Sequence, residues 1–147
     1  MLEVQELNNV FAGICKDYLG DKPEVAKSPL LLLVLGASGS GKTTLAKKLK
    51  RQLNFTHIAF DDLRRYHPNY IEYQNIDRFS AANKTNEDVN FWMQGLLTKA
   101  TEAKIDVILE CSAKGSKHTA NVIQHFTEND YKILVYALCV PHEICEL

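Results

Sequence analysis

The run Leu30–Leu35, LLLLVL, followed at once by Gly36-Ala37-Ser38-Gly39-Ser40-Gly41-Lys42-Thr43, constrains this chain more than any other feature. An apolar run with no polar alternation describes a strand buried on both faces, as in the middle of a parallel sheet. The residues after it match G-x-x-x-x-G-K-[S/T], and Lys42 to Leu53 behind them has helical character. Strand, glycine-rich loop and helix in that order is the context in which this motif binds phosphate. Glycines let the backbone close around an anion with its N–H groups inward. The helix N-terminus adds roughly half a positive charge. Gly36, Ser38, Gly39, Ser40, Gly41, Lys42, Thr43 and Thr44 are therefore the candidate nucleotide contacts. Lys42 suits the β- and γ-phosphates of ATP, and Thr43 suits Mg²⁺.

The local charge agrees. Residues 25–60 hold Lys27, Lys42, Lys47, Lys48, Lys50 and Arg51 and no acidic residue, though most of those on the helix form a solvated face. The guanine-reading signals of a GTPase are missing. No DxxG follows the loop, and Asn83-Lys84-Thr85-Asn86 ends in Asn where NKxD needs Asp, so that stretch reads as a loop.

Around this centre the periodicities alternate. Residues 2–19 carry Val4, Leu7, Phe11, Ile14 and Tyr18 on one face of an amphipathic helix, and Gly20 to Pro29 reads as a linker. Phe55–Phe60 reads as a second strand, closed by Asp61-Asp62. Pro68 ends a short helix. Thr85-Asn86-Glu87-Asp88 has the form of a capping box, with Val89, Trp92, Met93, Leu96, Leu97 and Ala100 as a helical stripe behind it. Ile105–Leu109 reads as a third strand ended by Glu110, Ser116 as the cap of a further helix, and Lys132–Val140 as a fourth strand. Strands alternating with helices predict an α/β fold, a doubly wound and mostly parallel sheet with an N-terminal amphipathic helix. The expected division is 1–27, helix and linker, and 28–147, the phosphate-loop domain.

A length of 147 residues suffices for one core, since such chains bury roughly 70% of their unfolded surface. A net charge of -1 argues against a nucleic-acid-coating protein. No apolar run reaches the ~18 residues of a membrane span, so neither nucleic acid nor membrane is an expected partner. Cys15, Cys111, Cys139 and Cys145 form no CxxC pair and read as free thiols in a reducing cytoplasm, with Cys111 and Cys139 buried.

Ligands of open α/β sheets bind at the carboxyl ends of the strands, where the loop, Asp61-Asp62 and Glu110 converge. A kinase needs a carboxylate to take the proton of the attacking hydroxyl, and Asp61 or Asp62 can supply it. Either can equally serve as a helix N-cap. Glu110 has two readings of equal weight: an acceptor contact, or a carboxylate that organises the Mg²⁺ shell.

Phe60-Asp61-Asp62-Leu63-Arg64-Arg65-Tyr66-His67-Pro68-Asn69-Tyr70 resembles the segment of zeta toxins that runs from an Asp through a basic residue to His-Pro-x-Tyr. Glu110-Cys111-Ser112-Ala113-Lys114 resembles that family's Glu-x-Thr-x-Arg, and the similarity covers about residues 28 to 145. The resemblance implies a P-loop kinase that phosphorylates the 3′-hydroxyl of the amino sugar in UDP-N-acetylglucosamine and is restrained by a small helical antitoxin. By position it implies Asp61 as the catalytic base, six residues before His67, and Arg64, Glu110, Ser112 and Lys114 as contacts of the sugar nucleotide. His67 and Pro68 read as structural.

Two departures matter. Ser112 and Lys114 replace Thr and Arg, and Lys lacks the bidentate fork that reads phosphate. The family's helical lid with two arginines has no counterpart here, since no arginine follows Arg78. The expectation is a C-terminally truncated form, or one in which Lys42, Arg64, Arg78 and Lys114 suffice, or a nucleotide-binding module without turnover. A kinase for another small hydroxyl substrate stays open. The fourth strand is also expected to expose an apolar patch that favours self-association or a partner chain. The N-terminal helix is expected to pack on the sheet domain as an extra layer, or else to dock near the nucleotide site or mediate dimerisation.

Overall fold

In the computed structural model, which describes residues 1–20, 25–112, 115–141 and 143, the apolar run becomes an inner strand. The elements in chain order are α1 (Val4–Leu19), β1 (Leu30–Gly36), α2 (Lys42–Leu53), β2 (Thr56–Ala59), α3 (Phe60–Leu63), a 3₁₀ turn (Arg64–Tyr66), α4 (Tyr70–Ile76), α5 (Arg78–Glu102), β3 (Val107–Ser112), α6 (Ser116–Glu128) and β4 (Lys132–Leu138). They form two compact units, Pro23–Ala59 with Thr101–Leu147 and Met1–Lys22 with Phe60–Ala100.

The first unit holds the sheet, in the order β2-β3-β1-β4, with every neighbouring pair parallel. Leu31, Leu32, Leu33 and Val34 are each at most 1% exposed, which is why β1 shows no alternation. Leu32, Val34 and Ile108 pack with Ala46, Leu45 and Leu49 of α2. The chain leaves β1 for β2 and β3 on one side and then crosses to β4 on the other. This α/β fold with doubly wound order therefore places the reversal of direction between β1 and β3, the place where such sheets bind ligands.

The strand ends differ from expectation. Phe60 opens α3 instead of closing β2, so Asp61 and Asp62 lie in a helical first turn. Glu110 stands inside β3, because the ladder with β1 continues to Gly36 opposite Ser112. Ser116 begins α6 without a side-chain capping bond. β4 stops at Leu138 at the sheet edge, and Leu134, Val135 and Tyr136 are exposed. Cys111 is buried, but Cys139 is exposed, contrary to the reading from its apolar neighbours.

In the second unit α1 packs on α5. Leu7 and Ile14 are buried, Trp92 Nε1 donates to Leu7 O at 3.0 Å, and the Phe11 and Phe91 rings meet edge to face at 6.1 Å. Val4, expected on the buried face, is exposed. The stripe from Val89 to Ala100 is buried as its spacing predicts. The capping box at Thr85 is overturned: α5 already begins at Arg78, and the 83–86 stretch lies inside it. Asp77 does the capping, its Oδ1 accepting from the Phe79 amide at 3.0 Å, and that bond holds its carboxyl below the ordinary value.

Candidate active site

The phosphate loop turns on two left-handed residues, Gly39 at φ 79° and Gly41 at φ 93°, a region that side chains rarely enter. Gly41 is the N-cap of α2 and offers no side-chain acceptor, and the first turn of α2 holds no acidic residue. The opening N–H groups of α2 are thus left for an external anion. Lys42 folds back over the loop, its Nζ donating to Gly36 O at 2.9 Å and Ala37 O at 3.0 Å. Ser40 Oγ is buried and has no hydrogen-bond partner among the described residues. A Cβ on Gly36 would lie 2.3 Å from that oxygen, so glycine is what leaves the loop its close packing. A donor-rich cradle with one orphaned hydroxyl fits the phosphates of ATP.

Beside the loop, Glu110 joins two elements. Its Oε1 accepts from Thr43 Oγ1 of α2 at 2.7 Å, and its Oε2 lies 2.5 Å from His57 Nε2 of β2. Burial pushes the Glu110 carboxyl up, but the hydrogen bonds of His57 and Thr43 and the charges of His57 and Lys42 outweigh it and hold the value below the ordinary one. Burial also pushes the neighbouring Cys111 thiol up to about 11. Of the two readings of Glu110, the bond to Thr43 favours the metal side. Thr43 Oγ1 is a hard oxygen that fits Mg²⁺, with the Glu110 carboxylate behind it accepting its proton in a hydrogen bond. Among the described residues no group of three or more His, Cys, Asp or Glu gathers as a metal site of its own; beside Thr43, nucleotide phosphates and water would be the ligands of a Mg²⁺ ion. Ser112 ends β3 opposite Gly36 and is exposed, while Lys114 lies outside the described residues.

Asp61 and Arg64 belong to the other unit. Asp61 is exposed, and its Oδ1 accepts from Arg64 Nε at 3.1 Å. Arg64 itself is buried. Its Nη1 donates to Ala82 O at 2.9 Å and to Thr85 Oγ1 at 2.7 Å, its Nη2 donates to Asn86 Oδ1 at 2.6 Å, and its Cζ sits 5.0 Å from the Phe60 ring centroid. The guanidinium expected to contact substrate is thus engaged within its own unit, where it ties the Asp61 turn to α5. His67 behaves similarly. Its Nδ1 accepts from the Asn69 amide at 3.2 Å, and its Nε2 meets Asp88 Oδ2 at 3.0 Å. Thr85, Asn86 and Asp88, read from sequence as a cap, are instead the receivers of the 61–67 segment.

Sequence reasoning missed His57. Its one signal is a polar ring inside a short, otherwise mostly apolar strand, and only the pairing of β2 with β3 turns that ring toward Glu110. Among the described residues no helix is long and apolar enough to cross a membrane.

Comparison with known proteins agrees with the fold. A chain from the PezAT chromosomal toxin-antitoxin system of Streptococcus pneumoniae superposes with a TM-score of 0.88 at 20% identity, over 99% of this chain and 61% of that one. A sugar kinase from Janibacter matches with a TM-score of 0.52 at 22% identity, over 80% of this chain and 64% of that one. A probable gluconokinase of Schizosaccharomyces pombe is 33% identical over 89 residues, which is 56% of this chain and 42% of its own length. The chain thus spans less than two thirds of the length of these relatives. The zeta toxin model matches residues 16–147, and the chain belongs to the zeta toxin family.

Proposed function

We propose that this chain is a P-loop kinase that transfers the γ-phosphoryl group of ATP to a hydroxyl of a sugar nucleotide such as UDP-N-acetylglucosamine. The observation that carries the reading is the loop itself, with Lys42 on its carbonyls and Thr43 bonded to Glu110 at the β1–β3 reversal. Lys42 exchanges Gly36 O and Ala37 O for the β- and γ-phosphates. Thr43 holds Mg²⁺, which neutralises phosphate charge when bound. Asp61 is the base. With Oδ1 held by Arg64, Oδ2 takes the hydroxyl proton as the acceptor oxygen bonds to the γ-phosphorus and ADP leaves. Ser112 and Lys114 orient the acceptor. The gluconokinase relative supports the alternative of a kinase for another small hydroxyl substrate, such as gluconate. Membership of the family supports an antitoxin as partner, and the exposed residues of β4 support self-association.

The test combines binding with transfer. Calorimetric titration with Mg-ATP should give binding that Lys42→Ala abolishes or greatly weakens. Transfer to UDP-N-acetylglucosamine or gluconate should vanish in Asp61→Asn while its nucleotide affinity stays. Unchanged ATP affinity in Lys42→Ala would remove the nucleotide assignment, and full transfer by Asp61→Asn would remove the base.

A further inference from the structure

The His57–Glu110 pair is required neither by the phosphate-loop motif nor by acceptor binding. His57 pairs with Ile108 in the parallel register of β2 and β3. Residues two apart on a strand share a face, so Glu110 lies on the face of Ile108 and of His57, one diagonal step away. The imidazole closes that diagonal at 2.5 Å, with the two side chains 7% and 6% exposed. An ionised carboxylate only accepts hydrogen bonds. Glu110 is therefore served by two donors, the Nε2–H of His57 at Oε2 and the hydroxyl of Thr43 at Oε1. Thr43 has one proton to give. With that proton donated in a hydrogen bond to Glu110, the lone pairs of Thr43 Oγ1 are left for a cation.

We propose that His57 is a positioning residue for the metal side of this site: by engaging Oε2 it sets the rotation of the Glu110 carboxylate, so that Oε1 accepts the hydrogen bond of the Thr43 hydroxyl and Thr43 Oγ1 remains a Mg²⁺ ligand. The inference rests on the kinase reading above. It also deepens that reading, because a Glu110 engaged at both oxygens works on the metal and leaves the acceptor hydroxyl to other groups. Partners that orient a metal's ligands from behind typically change metal affinity by about 10–100-fold when removed.

The experiment titrates the full chain with ATP by calorimetry, once with Mg²⁺ and once with chelator, for wild type, His57→Leu and His57→Gln. His57→Leu should weaken Mg-ATP binding by about 10–100-fold and leave metal-free ATP binding, set by the loop and Lys42, as it was. His57→Gln, whose amide N–H can replace Nε2–H, should recover most of the loss. Equal losses with and without Mg²⁺ indicate a merely structural role and overturn the inference, as does an unchanged Mg-ATP affinity. Nitrogen NMR of the nucleotide-free wild type adds a readout independent of any variant: the Nε2–H tautomer is expected, and Nδ1–H overturns the assignment. A wild type that binds no ATP in either condition overturns the kinase reading and this inference with it, whereas failure of the His57 variants alone leaves that reading standing.

Discussion

Replacing Arg64 by Met keeps the length of the stem and removes the guanidinium. The acceptors left behind are Ala82 O, Thr85 Oγ1 and Asn86 Oδ1, now bonded at 2.9, 2.7 and 2.6 Å. A hydrogen bond to a charged donor contributes about 1.5–3 kcal/mol, and an orphaned buried acceptor costs about 1–3 kcal/mol. The three losses do not add in full. The single Thr85 hydroxyl proton stays shared between Ala81 O at 3.0 Å and Ala82 O at 3.2 Å, so neither Thr85 nor Ala82 O is left wholly without a partner. The contact to Asp61 adds little, because that carboxylate is 89% exposed. The expected loss is therefore about 3–5 kcal/mol, the range found when one partner of a buried charged network is removed. Arg64→Lys should fall between the two, since one ammonium cannot serve acceptors in several directions. Urea unfolding read by tryptophan fluorescence measures this, with Trp92 buried in the same unit as reporter. Domains hold about 5–15 kcal/mol in all, so the effect is large. A loss below about 1 kcal/mol would refute the structural role of Arg64 and return it to the substrate.

Asp62→Asn should transfer phosphate normally while Asp61→Asn does not, and reversed phenotypes in a transfer assay would show the register from His67 to be off by one residue. Thiol labelling followed by mass spectrometry should modify exposed Cys139 well before Cys111, whose burial and raised pKa keep it a thiol at neutral pH. Glu110 titrates lower in the folded chain than its ordinary value of 4.5, so its contribution to stability is present above that value and is lost as pH falls through the lower folded one. Glu110→Gln should therefore flatten the acid side of a stability-against-pH curve measured by urea midpoints. Val135→Lys with Tyr136→Lys on β4 should leave folding intact and reduce any concentration-dependent association seen by sedimentation.

What the sequence determined by itself was whatever a local run of residues decides. LLLLVL is buried because nothing in it could face water, and Gly39 and Gly41 stand where the loop turns left-handed, a region that side chains rarely enter. The stripe from Val89 to Ala100 declares one helical face for the same reason. The tertiary structure decided every polar pairing between residues far apart in the chain. Thr85, Asn86 and Asp88 carry a capping pattern that is locally sound, yet Arg64 and His67 reach them from about twenty positions away, and the helix runs on through them. Nothing near His57 in sequence tells a core histidine from a ligand of Glu110. The register of β2 on β3 makes that choice, since a slip of one residue would send the ring to the opposite face of the sheet.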